Sequence, residues 1–160
     1  MKIKKSNQKK ILSALFISVF GFILLNLAFL FVAGFVNGSQ ALYKLITSKQ
    51  LEINDNIFFG HVFLIISILI ILIISLFILK SKKIKTLYKA TYFMVPLAVV
   101  YVIFGMFLSN FTVLLYIISA LIFFSVLYYL HRNKQSWLYY YSLIFISIIM
   151  LIMNILKIDI

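Results

Sequence analysis

Residues 57–79 read IFFGHVFLIISILIILIISLFIL, and Lys80, Lys82, Lys83 and Lys85 follow at once. No Asp, Glu, Lys or Arg interrupts the run. As an α-helix it extends about 35 Å, at roughly 1.5 Å per residue, enough to cross a hydrocarbon core of about 30 Å. A lysine cluster behind such a run is the pattern retained on the cytoplasmic side. This stretch names the solvent for the rest of the chain: lipid, with basic patches at the ends of apolar rods.

The composition fits that solvent. Of 160 residues, 65% are hydrophobic and 11% charged, and the mean hydropathy is +1.17. A water-soluble domain carries about 25% charged residues. There is no cysteine, which excludes disulfides, thiolate nucleophiles and Cys-ligated metals. The net charge of +12 comes from lysines between apolar spans rather than on one folded face, so nucleic acid is not the expected partner. Anionic lipid headgroups at the lysines are.

Working outward, Lys2, Lys4, Lys5, Lys9 and Lys10 precede an apolar run over 11–36. That run exceeds the roughly 7–15 residues of a signal-peptide core, so it reads as a retained first span. Asn37-Gly38-Ser39 is a turn signal and also a glycosylation sequon. Leu42, Leu45 and Ile46 then recur at i, i+3 and i+4, predicting a short extracytoplasmic interfacial helix over 40–50. After the span at 57–79 come spans at 90–108, 111–130 and 137–156, the third and fourth joined by a turn at Ser109-Asn110. One helix over 90–130 would be about 60 Å long, twice the hydrocarbon thickness.

The expected fold is therefore all-α: a single transmembrane domain over 1–160, a polytopic integral membrane bundle of five helices. The segments 1–10, 80–89 and 131–136 then share one side and hold twelve of the fifteen Lys and Arg. By the positive-inside rule the N-terminus is in and the C-terminus out. Tyr88, Tyr92, Tyr128, Tyr129, Trp137, Tyr139, Tyr140 and Tyr141 fall near the cytoplasmic interface, where amphipathic rings anchor.

The chemistry is thin. No acid, Lys or Arg lies deep in a span, which disfavours proton relays and buried carboxylate catalysts, and no HExxH occurs. His61, near the outer end of its span, is preceded by Glu52 and Asp55; that set matches no compact metal motif. Neither a metal nor a cofactor is expected. Gly60, Ser67 and Ser75 share one stripe with Leu64 and Ile71, and Ala14, Ser18, Gly21 and Ala28 share another, as close helix packing requires. Asn26 and Asn154 are the most polar candidates for burial, where an amide needs a partner. Pro96 and Gly105 are kink sites within the third span.

These residues favour a small multi-pass protein of the cell membrane, a non-enzymatic accessory or interaction subunit of a membrane complex, with a membrane-protein partner or a second copy of itself. The contending reading is a transporter, or transporter subunit, for a neutral or lipophilic solute. A lipid-active enzyme built on His61, Glu52 and Asp55 ranks last.

Overall fold

A computed structural model describes residues 2–47, 53–108 and 111–155. Six helices account for them: α1 (Lys2–Thr47), α2 (Ile53–Lys80), α3 (Thr86–Tyr92), α4 (Met94–Leu108), α5 (Thr112–Arg132) and α6 (Trp137–Ile155). No strand occurs among the described residues. Among the described residues, five segments are long and apolar enough to cross a membrane: Asn7–Leu42, Val62–Lys80, Thr86–Gly105, Thr112–Arg132 and Trp137–Ile155.

The third of these is helices α3 and α4 end to end, broken at Phe93. Pro96 explains the break. It has no N–H to offer the Tyr92 carbonyl four residues back, and its ring crowds that oxygen. The backbone stays helical across the break: Phe93 keeps right-handed helical dihedrals, φ −58° and ψ −23°, and its own N–H reaches the Lys89 carbonyl. The broken helix is the centre of the bundle, packing against α1, α2, α5 and α6. Ala90, Met94, Val95, Leu97, Ala98, Val99 and Tyr101 are all buried. At 3.6 residues per turn they cover about 200° of the helix circumference, more than half of it.

Two seams meet on it. One joins Ile17 and Leu25 of α1 to Ala90, Met94, Leu97 and Ala98, and onward to Leu130 of α5 and Tyr139, Leu143 and Ile146 of α6. The other joins Ile71 of α2 to Val95 and Val99, with Leu24 and Ala28 of α1 against them. Outward faces are as apolar as inward ones: Phe77 is 75% exposed and Val113 74%. Water-soluble monomers rarely present such continuous apolar surface.

Two expectations need correction. Asn37-Gly38-Ser39 makes no turn; α1 runs through it to Thr47, about 69 Å in all. The Ser39 hydroxyl donates to the Phe35 carbonyl one turn back, at 2.6 Å, so the side chain that would have stabilised a turn bonds within the helix instead. The helix of the first span therefore does not end at residue 36, and the segment expected over 40–50 is, through Thr47, part of α1. Residues 48–50 and the expected turn at Ser109-Asn110 lie outside the described residues.

The connection from α5 to α6 is fully defined. Gln135 N–H bonds the Leu130 carbonyl and Lys134 N–H the His131 carbonyl, both at 3.0 Å. This is a Schellman close, and it puts Lys134 at φ 47°.

Candidate functional site

Among the described residues, three side-chain hydrogen bonds join different helices, and each has one end on α6. Ser18 of α1 meets the Tyr141 hydroxyl at 2.7 Å. Ser18 already donates to the Ala14 carbonyl at 3.1 Å, and a serine hydroxyl has one proton, so Tyr141 is the donor. Tyr101 of α4 meets Ser147 at 3.1 Å. Tyr116 of α5 donates to Asn154 Oδ1 at 3.0 Å. Along α6 these ties lie about 6, 15 and 26 Å from Trp137, so they pin the bundle near one end, at the middle and near the other end. Lipid gives packed helices no hydrophobic drive towards one another, and such polar ties hold them together.

The serine stripe on α2 points inward. Ser67 is fully buried and donates to the Leu64 carbonyl at 2.8 Å; Ser75, also buried, donates to the Ile71 carbonyl at 2.6 Å. With both hydroxyls turned onto their own helix, what they offer a neighbour is small size. Gly21 of α1 is likewise buried, with Met94 filling the space a side chain would occupy. Gly60 and His61 lie on the helical backbone of α2, but the surroundings of Gly60 and the side chains of His61 and Asp55 lie outside the described residues, as does Glu52 altogether.

The two asparagines were expected to be buried, and neither is: both are exposed. Asn154 still has an interhelical partner in Tyr116. Asn26 has none among the described residues. Its Nδ2 donates to the Phe22 carbonyl of its own helix at 2.8 Å, and its amide oxygen meets no donor among the described residues. Leu24 and Ala28 beside it pack at the level of Ile71, nine residues from Lys80. That places Asn26 about 14 Å from the lysine-bearing end, close to half of a 30 Å hydrocarbon layer. Around it Val19, Phe22, Ile23, Asn26 and Leu30 form one exposed stripe at offsets 0, 3, 4, 7 and 11, the spacing of a helix–helix seam. Ala33 continues the stripe, also exposed.

The tyrosine ties were not anticipated. Tyr101 sits well inside its span, too deep for interfacial anchoring, and that depth is the signal that it needs a hydroxyl partner; Tyr116, about one turn from the start of α5, lies at a depth that carries no such signal. Tyr139, expected at the interface, is buried with its ring edge-on to Phe93 at 5.5 Å. Tyr128, Tyr129 and Trp137 are exposed at the end that carries Arg132 and Lys134.

No protein-family model matches the chain, and neither a curated protein nor a solved structure matches it.

Proposed function

We propose that this protein is a multi-pass subunit of the cell membrane that works by lateral association with another membrane helix, a non-enzymatic accessory rather than a carrier. The observation behind this reading is Asn26. An amide carbonyl with no donor among the described residues, held at mid-depth on an outward face, is costly in lipid by a few kcal/mol unless something covers it. A partner helix crossing the Val19–Leu30 stripe would cover it and gain a hydrogen bond at the crossing, worth about 0.6–2 kcal/mol. In this reading the N-terminus and the lysine-rich connections face the cytoplasm and the C-terminus faces out.

The interior supports the same view. Ile17, Leu25, Met94, Leu143 and Ile146 fill the middle of the bundle, and the hydroxyls nearby are spent on helix carbonyls or on one another. A solute path through one copy would have to displace that packing.

The test is association in mild detergent and in liposomes. A second polypeptide, or a second copy, should be retained in stoichiometric amount by the native chain and lost about 3- to 30-fold with Asn26→Leu. Tyr128→Phe, on an exposed ring away from the stripe, should leave it unchanged. Association indifferent to Asn26, with solute flux in liposomes that drops on Asn154→Leu, would replace this reading with the transporter.

A further inference from the structure

At the lysine-bearing end, α1 packs beside the corner where α2 passes into α3, and a gap is left between their side chains. The gap is a groove of about 330 Å³, lined by Phe16, Phe20 and Leu24 of α1, Ile78 of α2, Ile84 of the connection and Tyr88 of α3. Its wall is apolar. Thr91, which also borders it, turns its hydroxyl onto the Leu87 carbonyl at 3.0 Å. Phe16 braces the floor edge-on against Tyr88 at 5.7 Å. From Phe16 to Leu24 the groove follows α1 for about 12 Å, most of the roughly 15 Å depth of one leaflet's hydrocarbon. The volume lies at the lower end of small-ligand sites, about 300–1,000 Å³.

The mouth is strongly basic. Lys80, Lys82, Lys83 and Lys85 are all exposed there, and Lys89 is half-buried one turn into α3. The chain has three acids, Glu52, Asp55 and Asp159. Two lie at or just before the far end of α2, about 38 Å from Lys80, and Asp159 follows the C-terminal end of α6. By sequence, none belongs to the lysine end. A row of cations without carboxylates, directly above a slot one leaflet deep, complements an amphiphile with an anionic head and a long apolar tail.

We propose that this groove binds one anionic phospholipid of the surrounding leaflet, its phosphate among Lys80, Lys82, Lys83 and Lys85 and one acyl chain against Phe16, Phe20, Leu24 and Ile84. The site depends on the membrane setting but not on the partner stripe around Asn26, which lies on another face of α1. The acyl chain would fill the slot that the side chains of α1 and of the α2–α3 corner leave open.

The protein is reconstituted in vesicles of equal phosphatidylglycerol and phosphatidylcholine, extracted in mild detergent, and its retained lipid measured by native mass spectrometry. One phosphatidylglycerol per chain is expected, in preference to phosphatidylcholine. Lys82→Gln/Lys83→Gln/Lys85→Gln, three changes on an exposed connection, should weaken retention by up to about 100-fold, near fivefold per lysine; the corresponding arginine variant should keep it. Ile84→Trp keeps every charge and fills the slot, and it too should lose the lipid while the helical circular dichroism is unchanged. Equal retention of the two lipids would overturn the site. So would loss with the glutamine variant but not with Ile84→Trp, which would mean diffuse attraction to a charged surface. Loss of a bound polypeptide rather than lipid on Ile84→Trp would give the groove to a protein partner and also refute the proposal.

Discussion

Met94 occupies the notch that Gly21 leaves in α1: a β-carbon at residue 21 would overlap the Met94 sulfur and come within 3.0 Å of its terminal methyl. Met94 is fully buried at the break between α3 and α4, so the thioether cannot swing into open space. Gly21→Ala is expected to destabilise the fold by about 1–3 kcal/mol, the usual range for overpacking. Met94→Val should relieve most of that, with a coupling of at least about 0.5 kcal/mol between the two sites. Reversible unfolding in mixed micelles measures the cycle; simple additivity would show that the two residues do not meet.

The ties to α6 predict a graded series. Tyr101→Phe and Tyr116→Phe each remove one interhelical hydrogen bond and should cost about 0.6 kcal/mol, up to roughly 1.7. The Tyr101→Phe/Ser147→Ala cycle should return that energy as coupling. Tyr128→Phe, on an exposed ring, should fall within error of the native chain. Equal effects at all three tyrosines would mean that the hydroxyls contact solvent or headgroups rather than α6.

The two asparagines should separate cleanly. Asn154→Leu strips the acceptor from Tyr116 and should cost about 1 kcal/mol of fold stability. Among the described residues Asn26 bonds its own turn alone, so Asn26→Leu should leave the isolated chain as stable as before, or slightly more so, while weakening association. Thermal unfolding of the purified chain beside a retention assay distinguishes the two effects.

Lys134 closes the α5–α6 connection at φ 47°, a conformation that strains residues bearing a β-carbon and suits glycine. Comparing Lys134→Gly with Lys134→Ala holds the lost charge constant. The glycine variant should be the more stable by about 1 kcal/mol in the same unfolding assay; a more stable alanine variant would contradict the left-handed turn.

Much of this fold is legible in the sequence because lipid imposes a simple rule. A span must be long and apolar, so Ile57–Leu79 and its counterparts stand out by length alone. Pro96 announces the break in the third span through its missing N–H. Inward stripes such as Ser67, Ile71 and Ser75 follow from helical spacing and small size. Three things escape a local reading. Asn37-Gly38-Ser39 looks like a turn because turn statistics come from water, whereas here Ser39 bonds back into α1 and the helix continues. The direction of Asn26 escapes too, since in lipid both faces of a helix are apolar and periodicity cannot say which is outward. The partner choices of Tyr101, Tyr116 and Tyr141 depend on which helices become neighbours, and no short stretch of sequence carries that.

Threading across the bilayer is open to a clean measurement, because the chain has no cysteine of its own. Single cysteines at Ser39, Ser81, Ser136 and Asp159 can be labelled with a membrane-impermeant maleimide on intact cells and again after lysis. Five crossings with the lysines inside predict that the Ser39 and Asp159 positions react from outside, while the Ser81 and Ser136 positions react only after lysis. An Asp159 position that stays protected until lysis while Ser39 reacts would mean an even number of crossings, and would contradict the arrangement on which the partner stripe and the lipid groove both rest.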